Sequence, residues 1–432
     1  MRIIWVSPHC WPDYVLREDG LGQKSQGGQT VVMYHGTRAL ADAHPDLQVD
    51  IYARLEDGEP EEVDIHPRVK VIRLPLGPTD RYLPKEEFWG APIEGFVDHL
   101  VRYATGRELR YDLVHGHYAD GWHVAHLLWE RWRTPYLCST HSLGIRKREN
   151  ALRTGEGTPE ELDRKYCFAD RISREKAALA LAHRLCPLTV EEGRYMVDAY
   201  GVDEAKIRVV NNGIVMEDFY PPRPEEVVAV RARLGVGPDD LPVLLIARID
   251  PRKGQRELIE AAPEVIRRVK EASGRNVKLL FVAWVESEFG KTLEARVEEL
   301  GIRDSVIYHP PVLNKEIARY FWASAVYSLS SSYDIFPIVM LEAMGSGLPI
   351  VATRNGGPSE VITSGENGYL VEPTNREELA DALVRVLGDE AERQRLGRNA
   401  HRLVAERYTW PRIADETLRI YQELLEEQSD RS

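Results

Sequence analysis

Short apolar runs alternate with stretches of helical periodicity along this chain, and the alternation is laid down twice. In the first half the pattern predicts strands over residues 2–7, 49–53, 69–74, 112–117, 136–140 and 185–189, with a last strand and glycine turn over 207–214. Helical periodicity occupies residues 30–42, 93–102, 122–131, 170–183 and 190–200. A proline-rich segment at 218–224 reads as a linker, after which the pattern restarts. Strands are then expected over 242–247, 278–283, 305–308, 326–330, 349–353 and 367–371, and helices over 255–272, 286–300, 315–323 and 376–387. A helix-forming tail, 413–427, follows a unit that is already complete. Strand–helix alternation of this kind argues for parallel sheets covered on both faces. The expected division is therefore 1–220, a linker at 221–228, a second unit at 229–405, and a tail at 406–432 that packs back.

Parallel sheets hold ligands at the carboxyl ends of their strands, which picks out particular residues. The richest stretch runs from Ser331 to Pro349 and carries two carboxylates, Asp334 and Glu342, eight positions apart. Both face one side if the stretch between them is helical. Pro337 suits the first turn of such a helix, and the N-terminal N–H groups suit an anion. A phosphorylated sugar fits that combination; so does a capped core helix with two incidental acids. Gly27-Gly28 stands at a strand–helix corner, where adjacent glycines let the backbone approach a diphosphate, although they also close ordinary turns. His141 follows the 136–140 strand, and Arg146, Lys147, Arg148, Arg171 and Arg174 add positive charge, which on its own is also what a solvated helix face looks like. Arg248 and Lys253 follow the 242–247 strand, where two cations can hold a diphosphate or form surface salt bridges. His115 and His117 have the look of a metal pair but lack a third ligand nearby, so a structural or substrate-contacting role is the better reading.

Composition narrows the choice of ligand. With 432 residues and a net charge of −13, the chain has room for two or three domains and repels nucleic acid and acidic membrane surfaces. Four cysteines without CxxC spacing point to buried thiols in a reducing, cytoplasmic setting. The initial apolar run is too short for a signal peptide, and no run reaches the roughly 18 residues of a membrane span. A two-domain dehydrogenase is disfavoured because no G-x-G-x-x-G follows the first strand.

Glu342-Ala343, Gly347-Leu348-Pro349-Ile350-Val351-Ala352-Thr353 and Gly356-Gly357-Pro358-Ser359-Glu360 resemble the E-x7-E motif and the run that follows it in retaining glycosyltransferases of family 4, which have the GT-B fold. Within that family, Leu113-Val114-His115-Gly116-His117-Tyr118-Ala119-Asp120 and His141-Ser142-Leu143-Gly144 with Lys147 are most similar to the sucrose-phosphate synthase branch. The resemblance covers nearly the whole chain. It implies an α/β GT-B architecture of two Rossmann-like domains facing a central cleft, with a C-terminal helix crossing back. The first domain would bind the acceptor and the second the nucleotide sugar.

By the same resemblance Arg248 and Lys253 neutralise the donor diphosphate, Ile338 and Val339 bind the donor at the helix start, and Glu342 holds the ribose hydroxyls. Asp334 holds hydroxyls of the transferred hexose, expected to be glucose, and His141 contacts that sugar near the reacting carbon. Gly27 and Gly28 border the diphosphate, while Gln29, Lys147 and Arg171 grip the acceptor, a sugar or sugar phosphate with fructose 6-phosphate first. Four positions depart from the family pattern: Asp334 stands for Glu, Ser25 for Asp, Ala283-Trp284 for Gly-Gly and Pro337 for Gly. The implied reaction needs no obligatory metal, since no acidic D-x-D cluster stands at a strand end; magnesium stimulation is compatible with it. UDP-glucose is a donor the resemblance suggests, and the choice between uridine, adenosine and guanosine diphosphates is not readable from the sequence. A GT-B nucleotide-sugar epimerase and a non-catalytic nucleotide-sugar-binding protein are the competing classes.

Overall fold

The computed structural model describes residues 1–12, 28–55, 61–77, 83–283, 286–312 and 314–430. The chain forms two compact units, Met1–Asn211 with Trp410–Ser432, and Asn212–Thr409. Each is built on one sheet.

In the first unit the strands are β1 (Arg2–Val6), β2 (Gln48–Leu55), β3 (Glu61–His66), β4 (Val69–Pro75), β5 (Leu113–His117), β6 (Tyr136–Ser139) and β7 (Arg184–Cys186). They lie in the order β3-β4-β2-β1-β5-β6-β7. All neighbours are parallel except β3, which runs antiparallel to β4 at the edge. The central strands are apolar because helices cover both their faces; Ile4, Val6, Tyr52, Val114 and Cys138 all belong to one buried cluster. The order turns about β1, so the crevice of this sheet opens at the carboxyl ends of β1 and β5.

In the second unit β8 (Asp240–Ile246), β9 (Asn276–Val282), β10 (Val306–His309), β11 (Val326–Leu329), β12 (Ile350–Thr353) and β13 (Tyr369–Val371) form a fully parallel sheet in the order β10-β9-β8-β11-β12-β13. Its switch lies between β8 and β11. Both sheets are Rossmann-like, as the alternating pattern predicts.

The differences from the expected elements have physical causes. The segment expected as a linker carries a helix, Pro224–Arg233, whose Pro224 fits the first turn and whose Arg223 N–H is taken by Glu226 Oε2 at 2.8 Å. Two helices, Gly144–Arg153 and Pro159–Tyr166, bury only three and one of their residues, too few for an apolar stripe to show in the sequence. The charged edge strand β3 was equally silent. The helix expected over 30–42 is three pieces, Gly28–Val31, a π turn Val32–Gly36 and Thr37–Ala43. The strand expected at 207–214 survives only as bridges at Ile207 and Ile214. The last helix, Trp410–Ser429, belongs to the first unit and buries Trp410, Ile413, Leu418, Tyr421 and Leu424 there.

Candidate active site

At the switch of the second sheet, the loops leaving β8, β11 and β12 are stitched together by backbone bonds. After β8, Asp250 accepts from Arg252 N at 3.0 Å and starts the turn Pro251–Lys253. Gly254 then takes φ +78°, and a Cβ there would lie 2.1 Å from the carbonyl oxygen of Ser330. Only glycine permits that approach. Ser330 Oγ donates to Gly254 O at 2.9 Å and Ser332 N to Arg252 O at 2.8 Å. The stitching brings Lys253 Nζ to Asp334 Oδ1 at 2.5 Å, while Ser331 Oγ donates to Asp334 Oδ2 at 2.5 Å. Arg248 stands exposed beyond β8, its carbonyl bonded by Gln255 Nε2 at 2.8 Å.

From the β12 side, Asn355 Nδ2 donates to Ser331 O at 3.2 Å and Ser332 O at 3.0 Å, and Asn355 Oδ1 accepts from Asp334 N at 3.4 Å. Gly356, at φ +49°, passes so close that a Cβ would lie 2.0 Å from Asp334 O. The Asp334 backbone is thus fixed from two sides before any ligand arrives.

The helix that follows spans Ile338–Gly345, and Pro337 is its N-cap with extended φ −71°, ψ 124°, one position earlier than the sequence suggested. Asp334 therefore sits in the loop and not on a helical face with Glu342. Both acids act on the buried Tyr327 phenol, whose pKa is pushed up first by burial and then by their charges. Proline offers no side-chain acceptor, so the first-turn N–H groups of Ile338 and Val339 have no side-chain cap. Glu342 is 8% exposed and accepts no hydrogen bond to its carboxyl among the described residues. Burial, and then the Asp218 charge, lift its pKa to about 8. Uncapped N–H groups, one ammonium and two carboxylates make a socket for a group that is anionic at one end and rich in hydroxyls at the other.

At the carboxyl edge of the first sheet, β5 runs into a helix, Tyr118–Trp132, whose first residue takes the left-handed φ +65°. That conformation is unusual for a bulky side chain and marks a constrained position. Two predicted residues meet on its phenol oxygen, with Lys147 Nζ donating at 3.1 Å and Arg171 Nη1 at 3.0 Å. Arg171 is 5% exposed and braced by Glu175 Oε1 at 2.7 Å and Ser142 O at 2.9 Å. It is a buried strut for this edge, whereas Lys147 is half-exposed. His141 lies 3.0 Å from His117, Nε2 to Nδ1, and burial with the neighbouring His9 lowers its pKa to about 3. Gln29 Nε2 donates to Ser7 Oγ at 2.7 Å, and Gly28 begins the short helix after β1. Gly27, with Ser25 and Trp284, lies outside the described residues.

Sequence reasoning gave Tyr118, Asp120 and Asn355 no role of their own, although Tyr118 and Asp120 stand in the run 113–120 that carries the resemblance. Asp120 is buried and holds His9 through Nδ1 at 2.8 Å and N at 3.0 Å. His115 bonds to Tyr421 and Ser139 at 2.6 and 2.7 Å, which makes it a structural residue. Among the described residues no group of three His, Cys, Asp or Glu side chains gathers as a metal site, and no helix is long and apolar enough to cross a membrane.

Residues 229–403 match the family described as glycosyl transferases group 1, and residues 27–213 match the glycosyl transferase 4-like domain. A D-inositol 3-phosphate glycosyltransferase of Xylanimonas cellulosilytica is 32% identical over 431 residues, covering 97% of this chain and 96% of that one. A mannosylfructose-phosphate synthase of Agrobacterium fabrum is 26% identical over 423 residues, covering 96% and 90%. The solved structure of a sucrose-phosphate synthase from Thermosynechococcus elongatus superposes with a TM-score of 0.82 at 26% identity, over 99% of this chain and all of that one.

Proposed function

The chain belongs to the glycosyl transferases group 1 family, with a glycosyl transferase 4-like first half, and from that membership we propose that it transfers a hexose from a nucleoside diphosphate sugar to a phosphorylated sugar or polyol, retaining the anomeric configuration. The observation that carries this reading is the Lys253–Asp334 pair beside the uncapped start of the Ile338–Gly345 helix, with Glu342 buried on the same helix.

Departure of the nucleoside diphosphate leaves negative charge on its phosphate. Lys253, Arg248 and the N–H groups of Ile338 and Val339 stabilise that charge as it develops, from positions fixed by the loop bonds. Asp334, released from Lys253 by the phosphate, accepts from hydroxyls of the hexose, and Glu342 accepts from the ribose. The acceptor hydroxyl attacks from the face the leaving group occupies, so that its oxygen bonds to the anomeric carbon as the bond to the phosphate oxygen breaks and its proton passes to the departing phosphate, which gives retention. Positive charge at the phosphate is supplied by the protein, so the reaction has no obligatory metal.

A phosphorylated acceptor is supported by three similar proteins, one named for inositol 3-phosphate and two named as synthases of mannosylfructose phosphate and sucrose phosphate, and by Lys147 on the carboxyl edge of the first sheet. Glucose is the first hexose, uridine the first nucleotide and the cytoplasm the first compartment in which to test the reading. The test is a matrix of nucleotide hexoses against free and phosphorylated acceptors, read by nucleoside diphosphate release and product analysis. Turnover that needs a phosphorylated acceptor is expected. Epimerised donor without acceptor, or tight donor binding with no product across the matrix, overturns the proposal.

A further inference from the structure

His117 is 2% exposed and has one hydrogen-bond partner among the described residues, Nε2 of His141 at 3.0 Å from its Nδ1. Its own Nε2 is buried with none. The ring packs against the Trp5 ring at 4.2 Å and the His115 ring at 4.1 Å, and it meets His141 end-on, with 5.3 Å between centroids and 25° between the planes. His115 is tied down in turn by Tyr421 Oη and Ser139 Oγ.

Two neutral imidazoles joined nitrogen to nitrogen share one proton, and either ring can supply it. If His141 gave it from Nε2, His117 would carry its own proton on Nε2, as a buried N–H with nothing to receive it. Orphaned N–H groups are the rarer kind of unsatisfied buried polar group.

We infer that His117 is a positioning residue: it donates from Nδ1 to Nε2 of His141 and so fixes the His141 proton on Nδ1, as a donor aimed at an oxygen of the substrate. The link to substrate rests on the proposed function; the tautomer does not. Burial keeps both rings neutral near pH 7, so the arrangement holds across the working range.

Side-chain 15N NMR of the full chain decides the tautomer. In the wild type, His141 should show a protonated Nδ1 and a bare Nε2. His117→Asn places an amide N–H near the Nδ1 position and should keep that state. His117→Phe keeps the packing against Trp5 and His115 but removes the donor, and His141 should shift toward the Nε2–H form. With the donor and acceptor the chain turns over, kcat should fall about 10- to 100-fold in His117→Phe, with acceptor KM unchanged and activity recovered in His117→Asn. A wild-type His141 protonated on Nε2 overturns the inference, as does an unchanged tautomer in a folded His117→Phe. A changed tautomer without a change in kcat overturns the positioning role. If no nucleotide sugar is turned over, the transferase reading fails, and the wild-type spectrum still decides this one.

Discussion

Glu342 carries a proton at neutral pH in the ligand-free protein, since burial and Asp218 hold its pKa at about 8. A ribose diol donates to a carboxylate, so donor binding releases that proton. Affinity for a nucleotide sugar, which has no ionisation of its own in this range, should tighten by up to about tenfold per pH unit as pH rises toward 8. Titration calorimetry of Glu342→Gln should show weaker binding and a flat profile; a sloping one would move the proton elsewhere. Lys253→Ala should lower kcat by about 100- to 1,000-fold, the usual range for one charge-stabilising donor, with thermal stability little changed because the side chain is half-exposed. Glu192 titrates against the fold in the same direction. Fully buried beside Thr140 and Leu188, its pKa is pushed up to about 7. The folded state then holds a proton that the unfolded chain has lost between about pH 4.5 and 7, so this stability is present in acid and disappears as pH rises through 7. Denaturant unfolding at pH 5 and pH 8 should differ by about 3 kcal/mol from this residue, and Glu192→Gln should remove that share. At this scale the types and positions of the charged groups were legible in the sequence. Their partners were not, because Lys253 and Asp334 are 81 residues apart and meet only through the loops that hold them.

The loops after β8, β11 and β12 act as one element, and its weak point is Gly356. An alanine there must take a positive φ and place its Cβ 2.0 Å from Asp334 O. The φ alone costs about 1–3 kcal/mol, and the clash displaces the Asp334 backbone. Gly356→Ala should therefore lower the melting temperature by several degrees and weaken nucleotide-sugar binding together; binding at wild-type strength would show that this loop does not shape the donor site. The alternating apolar pattern announced the central strands and the longer helices, because burial on two faces or on one stripe leaves a period in the sequence. It left the Gly144–Arg153 helix unmarked. That helix carries Lys147, and its outer face is charged enough to read as a loop. The sequence pattern put Asp334 and Glu342 on one helical face, but the helix begins at Ile338 and leaves Asp334 in the loop before it.

At the scale of the molecule, the two Rossmann-like units of a GT-B glycosyltransferase were evident from one pattern restarting after a proline-rich stretch, though the stretch itself is partly helical. The first unit is closed by a segment from the other end of the chain. Six large apolar side chains of the Trp410–Ser429 helix are buried, including Trp410, Tyr421 and Leu424. At about 1.5–3 kcal/mol each they contribute on the order of 9–18 kcal/mol, as much as a whole domain usually has to spare. A chain ending at residue 409 should therefore lose hydrogen-exchange protection across β1, β2 and β5 while β8, β9 and β11 keep theirs. Equal protection in both sheets would contradict this.

That discontinuity also sets an order of events during synthesis. Residues 1–211 leave the ribosome first but lack Tyr421, which accepts from Trp5 Nε1 at 2.9 Å and reaches His115. The second unit is contiguous and can mature while translation continues. The first must wait, partly formed, until residues 410–429 have followed. Any chain broken off before them then carries an unfinished first domain, so the cell's proteases meet such copies already open to degradation.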